Sequence, residues 1–157
     1  MKIFLKFAYT GCISWKNVDN LFEFLKDADF LGLDDVREEG IKLFLPHVNQ
    51  INAIEAYHFS ERCRNKLLKQ KCRQVILRDF AIISRTGEFL DLSSDALKDI
   101  LSSDPFISCT QSKLKSILKW VERDLDSRRF HLMDIFRLIN LGHADITTVI
   151  RIAAEHM

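Results

Sequence analysis

Apolar residues recur at helical spacing along most of the chain. The first clear stripe follows Asn17, a residue type that caps helices well, and consists of Val18, Leu21, Phe22, Leu25 and Ala28. Gly32 and Leu33 break this pattern. A second stripe predicts a helix that ends near Pro46, because proline cannot continue a helix. It consists of Val36, Ile41, Leu43, Phe44 and Leu45.

The middle of the chain predicts a long helical hairpin. Its first arm carries Ile54, Tyr57 and Phe59, and its second carries Leu67, Leu68, Cys72, Val75 and Ile76. Residues 80–89 are less regular, and Gly87 is expected to mark a turn. Ser94 is expected to cap a short helix with Leu97, Ile100 and Leu101, before the pair Asp104-Pro105 interrupts the pattern.

The strongest amphipathic pattern follows Thr110, which is expected to cap it. Its stripe consists of Leu114, Ile117, Leu118, Val121 and Leu125. Trp120 lies beside the stripe, where a tryptophan usually fills the core and its indole N–H finds one partner. Trp120, Leu114, Ile117 and Val121 are therefore predicted to be structural core, with a binding role for Trp120 as the alternative. Two more helices are predicted over residues 132–141 and 146–154.

These patterns together predict an all-α fold built as an array of stacked helix pairs. Only five Gly and two Pro occur in 157 residues, whereas all-β folds need many turns. Residues 1–8 resemble the end of a helix, and a short strand or turn is expected at residues 9–13. The apolar pattern resets just after Pro46, so the predicted domains are residues 1–46 and 47–157.

The charge balance favours protein partners. The chain has 23 basic and 22 acidic residues, a formal net charge of +1, and its Lys and Arg are scattered without a basic block. Bulk electrostatic binding to nucleic acid or an anionic membrane is therefore not expected. No apolar run approaches the roughly 20 residues of a membrane span, and the opening residues are too charged for a signal peptide.

No constellation in the sequence predicts an enzyme, a metal site or a cofactor. Cys12, Cys63, Cys72 and Cys109 form no CxxC pair, and are interpreted as reduced cytosolic thiols that pack as small hydrophobes. The five histidines show no i,i+4 pair and no HExxH motif. Nucleophile-elbow and phosphate-loop motifs are also absent. A small helical enzyme therefore has no supporting motif in the sequence.

Several stretches in one order resemble the end of a BTB domain followed by a BACK domain, as in Kelch-like proteins. Residues 7–11 (FAYTG), 17–21 (NVDNL) and 28–36 (ADFLGLDDV) are similar to passages late in BTB domains. Residues 59–61 (FSE), 86–92 (TGEFLDL) and 100–104 (ILSSD) are similar to passages of BACK domains. Residues 120–132 resemble the pattern "WVxxDxxxRxxHL" through Trp120, Asp124, Arg128 and His131.

The resemblance implies a protein-interaction module of a substrate adaptor for a cullin-3 RING E3 ubiquitin ligase, without enzymatic activity. Cullin-3 and BTB-BACK relatives are the implied partners, in the cytoplasm and with the nucleus as a second compartment. The family's extra cullin-contacting element, the "3-box", corresponds to residues 45–61. Its candidate contact residues are Leu45, Val48, Asn52, Ile54, Tyr57 and Phe59.

Two further expectations concern the extent of the chain. The family's dimerising front half and its Kelch repeats have no counterpart in the sequence, so a fragment or shortened form is expected. Such a form is expected to bind cullin-3 weakly or not at all by itself and to self-associate, whereas restoring an upstream BTB half is expected to give tight binding. The alternative function is a stand-alone helical scaffold or interaction protein that does not bind cullin.

Overall fold

The computed structural model describes residue 11, residues 15–103 and residues 111–138. Helices account for most of these residues, and no strand occurs among them, which confirms the all-α prediction. Several predictions lie outside the described residues. They are the strand or turn at 9–13 except for residue 11, the helix end at 1–8, the break at Asp104-Pro105, the Thr110 cap and the helix at 146–154.

The helices in chain order are separated by short connections. They are α1 (Val18–Phe30), α2 (Asp34–Phe44), α3 (Ala53–Arg62), α4 (Lys66–Arg78), α5 (Phe80–Ile83), α6 (Gly87–Leu90), α7 (Ser94–Ser102), α8 (Gln111–Glu122), α9 (Leu125–Arg128) and α10 (Leu132–Leu138). Two 3-10 turns, Leu45–His47 and Arg129–His131, complete the set within the described ranges.

The chain divides into two compact units, and the division falls inside α4, between Cys72 and Arg73. In the first unit α1 begins as predicted, because the Asn17 side chain accepts a hydrogen bond from the Asn20 amide at 2.9 Å. The helix ends at Phe30, and Gly32 follows its C-cap with a φ of +68°, which lets the Leu33 amide reach back to the Ala28 carbonyl at 2.9 Å. The predicted break at this position is confirmed.

Aromatic rings from three helices form the core of the first unit. Phe22 of α1 stacks on Phe44 of α2 with ring centroids 5.0 Å apart, and meets Phe59 of α3 edge-on at 5.5 Å. Leu21, Leu25 and Tyr57 are fully buried beside them. The predicted stripes of α1 and α3 therefore converge on one core.

The second unit is arranged around α8, with α5 and α6 packed against it and α10 packed against α7. Phe80 and Phe89 meet edge-on with ring centroids 5.3 Å apart. The most deeply buried side chains of this unit are Ile76, Ile83, Phe89, Leu92, Leu97, Ile100, Leu114, Ile117, Trp120 and Ile135.

Three local predictions in the second unit are wrong. Gly87 does not mark a turn: it is the first residue of α6, because Thr86 caps that helix through the Phe89 amide. Ser93, not Ser94, caps α7 through the Ala96 amide. Leu125 leaves the stripe of α8, since Asp124 accepts a hydrogen bond from Ser127 and starts a new helix.

Two cysteines fall within the described ranges, and both are free thiols. Burial raises the pKa of the Cys72 thiol to about 12, so it stays protonated at neutral pH. Burial also raises the pKa of the half-buried Cys63. Cys12 and Cys109 lie outside the described residues. Among the described helices, none has both the length and the apolar character needed to cross a membrane.

Candidate protein-interaction surface

Residues 45–52 form an ordered loop between α2 and α3, here called the asparagine loop. The Asn52 side chain accepts a hydrogen bond from the Asn49 amide at 2.9 Å and donates one to the His47 carbonyl at 3.1 Å. Asn49 makes a similar pair, donating to the His47 carbonyl at 3.1 Å and accepting from the Ile51 amide at 2.8 Å. Two asparagine side chains thus fix the path of the loop by replacing regular backbone pairing.

Ile51 is held at the tip of this asparagine loop with 89% of its surface exposed. An isoleucine on an ordered loop loses little conformational entropy when a partner covers it. Pro46, Asn49 and Gln50 are exposed around the same loop, and Glu55 and His58 are exposed on the first turns of α3. This set is an apolar residue within a polar rim, an arrangement typical of protein interfaces.

The six candidate contact residues from the sequence are mostly interior. Val48, Ile54, Tyr57 and Phe59 are buried in the first unit, so these four side chains have little surface to offer a partner. Leu45 and Asn52 are half-buried, and Asn52 supports the loop. Sequence reasoning missed Ile51, although a lone isoleucine between Gln50 and Asn52 in a polar segment was an available signal.

An ion pair ties the start of α3 to α1. The Lys26 ammonium lies 2.6 Å from the Glu55 carboxylate and 2.9 Å from that of Glu23. Partial burial lowers the pKa of Lys26, but these two carboxylates outweigh it and leave the pKa raised. Glu55 is therefore held in one place beside the asparagine loop, and the His58 ring meets the Tyr57 ring edge-on, 5.8 Å away between centroids.

Trp120 and its neighbours form a closed structural latch in the second unit. The indole N–H of Trp120 donates to the Leu92 carbonyl at 2.8 Å, and the side chain is fully buried. The Arg128 guanidinium lies over the Trp120 ring at 4.3 Å and donates to the carbonyls of Leu90 and Trp120 at 2.6 and 2.7 Å. Partial burial lowers the pKa of this guanidinium.

The remaining letters of the "WVxxDxxxRxxHL" pattern support the same latch. Asp124 caps α9, which carries Arg128 back towards Trp120. His131 lies 3.3 Å from the Lys98 ammonium of α7, and Asp134 lies 3.3 Å from the same group. Leu114, Ile117 and Val121 are buried on α8. The geometry gives this motif a packing role.

The described residues offer no metal centre, since no three His, Cys, Asp or Glu side chains among them are grouped to hold an ion.

Comparison with known proteins shows one family over most of the chain. The model of the family BACK, "BTB And C-terminal Kelch", matches residues 53–153. "Kelch-like protein 24a" of Danio rerio is 28% identical over 144 residues, which are 90% of this chain and 24% of that protein. "Kelch repeat and BTB domain-containing protein 8" of Homo sapiens is 27% identical over 139 residues, 87% of this chain and 23% of that protein.

A third relative gives the same proportions. "Kelch-like protein 25" of Xenopus tropicalis is 28% identical over 143 residues, 90% of this chain and 24% of that protein. This chain spans about a quarter of the length of the curated relatives that it matches.

Proposed function

This chain belongs to the BACK family, and from that premise we propose that it is a protein-interaction module of a substrate adaptor for a cullin-3 RING E3 ubiquitin ligase. It acts by binding and not by catalysis. Cullin-3 is its proposed partner, and a cytoplasmic location is inferred from the same family resemblance. Its first 46 residues are proposed to be the end of a BTB domain, and residues 47–157 the BACK domain.

The observation that carries this proposal is the exposed apolar residue on the asparagine loop. In the family resemblance, residues 45–61 correspond to the extra cullin-contacting element. In this segment Ile51 is 89% exposed on a loop fixed by four asparagine hydrogen bonds. Protein interfaces concentrate their binding free energy in a few such anchored residues.

The proposed contact therefore consists of exposed side chains, with the buried candidates supporting them. Ile51 supplies the apolar contact, and Glu55 and His58 supply polar contacts on α3. Val48, Ile54, Tyr57 and Phe59 hold the segment on the first unit from below. A substitution at Ile51 should then affect binding without removing any core contact.

The test is a calorimetric titration of the chain against the N-terminal domain of cullin-3. We expect Ile51→Asp to weaken binding by about tenfold or more, because a charge replaces the central apolar contact. Leu67→Asp is the matched control. Leu67 is likewise a large apolar residue of the first unit, lies on α4 and is 64% exposed. This control should bind within about twofold of the parent.

Two results would contradict the proposal. Equal weakening by Ile51→Asp and Leu67→Asp would mean that the asparagine loop is not the contact. No detectable binding by the parent chain, even after an upstream BTB half is restored to it, would favour the alternative, a helical scaffold that does not bind cullin.

A further inference from the structure

A groove of about 190 Å³ lies on the second unit between α5 and α8. Ala81, Ser84 and Arg85 line it from the α5 side, and Lys115, Ser116 and Lys119 line it from α8. The two sides are 30 residues apart in sequence and meet because α5 packs against α8. None of the residues of this groove belongs to the asparagine loop or to the Trp120 latch.

The charge of the groove is entirely positive. Arg85, Lys115 and Lys119 all line it, and no carboxylate does. Each of the three is exposed, and none forms an ion pair with a carboxylate among the described residues. Many other basic residues of the described ranges are paired, as Arg123 is with Asp91 at 3.3 Å and Lys98 with Asp134 at 3.3 Å. Three like charges without a counter-charge raise one another's energy, and a bound anion would lower it.

The floor of the groove is polar. The hydroxyls of Ser84 and Ser116 lie 2.9 Å apart, and Ser84 is almost fully buried. Hydroxyls beside cations are the usual companions in sites that accept a carboxylate or phosphate oxygen. Ala81 and the aliphatic stems of the lysines give the rest of the lining an apolar character suited to a peptide.

We propose that this groove binds an anionic side chain on an acidic segment of a partner protein. The volume suits one or two anionic groups and not a run of nucleic-acid phosphates, and the whole chain has a net charge of only +1. The anionic group is a carboxylate or the phosphate of a phosphorylated residue. This role does not rest on the proposed cullin contact, because none of the groove residues belongs to the asparagine loop.

The test uses fluorescence anisotropy with three labelled peptides of equal length. The first alternates glutamate with glycine, the second carries one phosphoserine in place of a glutamate, and the third has glutamine at every glutamate position. The groove variant is Lys115→Glu with Lys119→Glu. The matched control is Lys16→Glu with Lys66→Glu, which makes the same charge change at two exposed lysines outside the groove.

We expect both acidic peptides to bind more tightly than the glutamine peptide. The groove variant should lose about tenfold in affinity, the combined effect of two reversed exposed contacts, and the control should change by less than about twofold. Binding should weaken as salt is raised from 50 to 300 mM, since exposed charge contacts are screened. Tighter binding of the phosphoserine peptide identifies phosphate as the preferred group, and equal binding identifies carboxylate.

Several outcomes would overturn the proposal. One is equal binding of the acidic and glutamine peptides. Another is equal loss in the groove and control variants, which would mean attraction to total charge and not to this groove. A third is groove-dependent binding of a single-stranded oligonucleotide without binding of either acidic peptide, which would assign the groove to nucleic acid.

Discussion

At the level of single residues, Trp120 and Arg128 show that the second unit needs specific side chains as well as apolar ones. A buried indole requires a hydrogen-bond acceptor, and the Leu92 carbonyl provides it at 2.8 Å. Arg128 is held by backbone carbonyls and by the Trp120 ring, and the charges of Asp124 and Asp91 also stabilise its guanidinium. The two residues therefore depend on each other.

Replacing Trp120 should destabilise the second unit strongly. Trp120→Ala should lower the free energy of unfolding by about 3–5 kcal/mol, because it leaves a large cavity under Arg128. Trp120→Phe keeps most of the ring but loses the N–H donor to Leu92, and should cost about 1–3 kcal/mol. Urea unfolding followed by circular dichroism measures both.

Phe130→Ala is the control for these variants. Phe130 is 70% exposed, so its loss should change the free energy of unfolding by no more than about 0.5 kcal/mol. If Trp120→Ala unfolded like the parent but lost binding to a partner, Trp120 would be an interface residue and the latch would be unnecessary.

At the level of elements, the close approach of α1 and α2 depends on one glycine, Gly40. A Cβ atom placed on Gly40 would lie 2.5 Å from Cδ2 of Leu25 and 3.4 Å from Cε1 of Phe24. Leu25 and Phe24 are both buried, so neither side chain can move away freely. The glycine lets the helices meet at a distance that alanine would not permit.

Gly40→Ala should therefore destabilise the first unit despite alanine's better helix propensity. Overpacking costs about 1–3 kcal/mol, which exceeds the gain of about 0.5–1 kcal/mol from replacing a mid-helix glycine. Gly87→Ala is the opposite case, because nothing lies within 4 Å of its Cβ position and its φ is not positive. Thermal melting should show a lower Tm for Gly40→Ala and an unchanged or higher Tm for Gly87→Ala. A higher Tm for both would mean that Leu25 relocates without cost.

Net charge and exposed apolar residues act together at the level of the whole molecule. The formal net charge is +1 and the isoelectric point is near 7.7. Several large apolar side chains are strongly exposed, among them Phe30 and Ile51 at 89% each. With so little charge repulsion near neutral pH, contacts between copies are not opposed.

Self-association should therefore be strongest near pH 7.7 and weaker at pH 6. The chain gains positive charge as the pH falls below its isoelectric point, so repulsion between copies grows. Static light scattering at the two pH values measures the change in average mass. Added salt at pH 6 should restore association by screening the repulsion. A mass that does not depend on pH or salt would contradict this account.

Helix type and the family could be predicted from the sequence, because both depend on local order along the chain. The spacing of Leu21, Phe22 and Leu25 follows from the helical repeat of 3.6 residues per turn alone. The Asn17 cap and the Gly32 end are also local, since each is made within one turn. The boundary near Pro46 stays a prediction, and the compact units divide at Cys72.

Tertiary structure decided which of these residues meet and which remain at the surface. Periodicity placed Tyr57 and Phe59 on an apolar stripe but could not distinguish a core residue from a residue that contacts a partner. Packing against Phe22 and its neighbours buries both. Periodicity also could not predict that Arg85 lies near Lys115 and Lys119, because that depends on how α5 packs against α8. The physical reason is range: hydrogen bonds within a helix join residues four apart, whereas burial and charge clustering depend on contacts between distant segments.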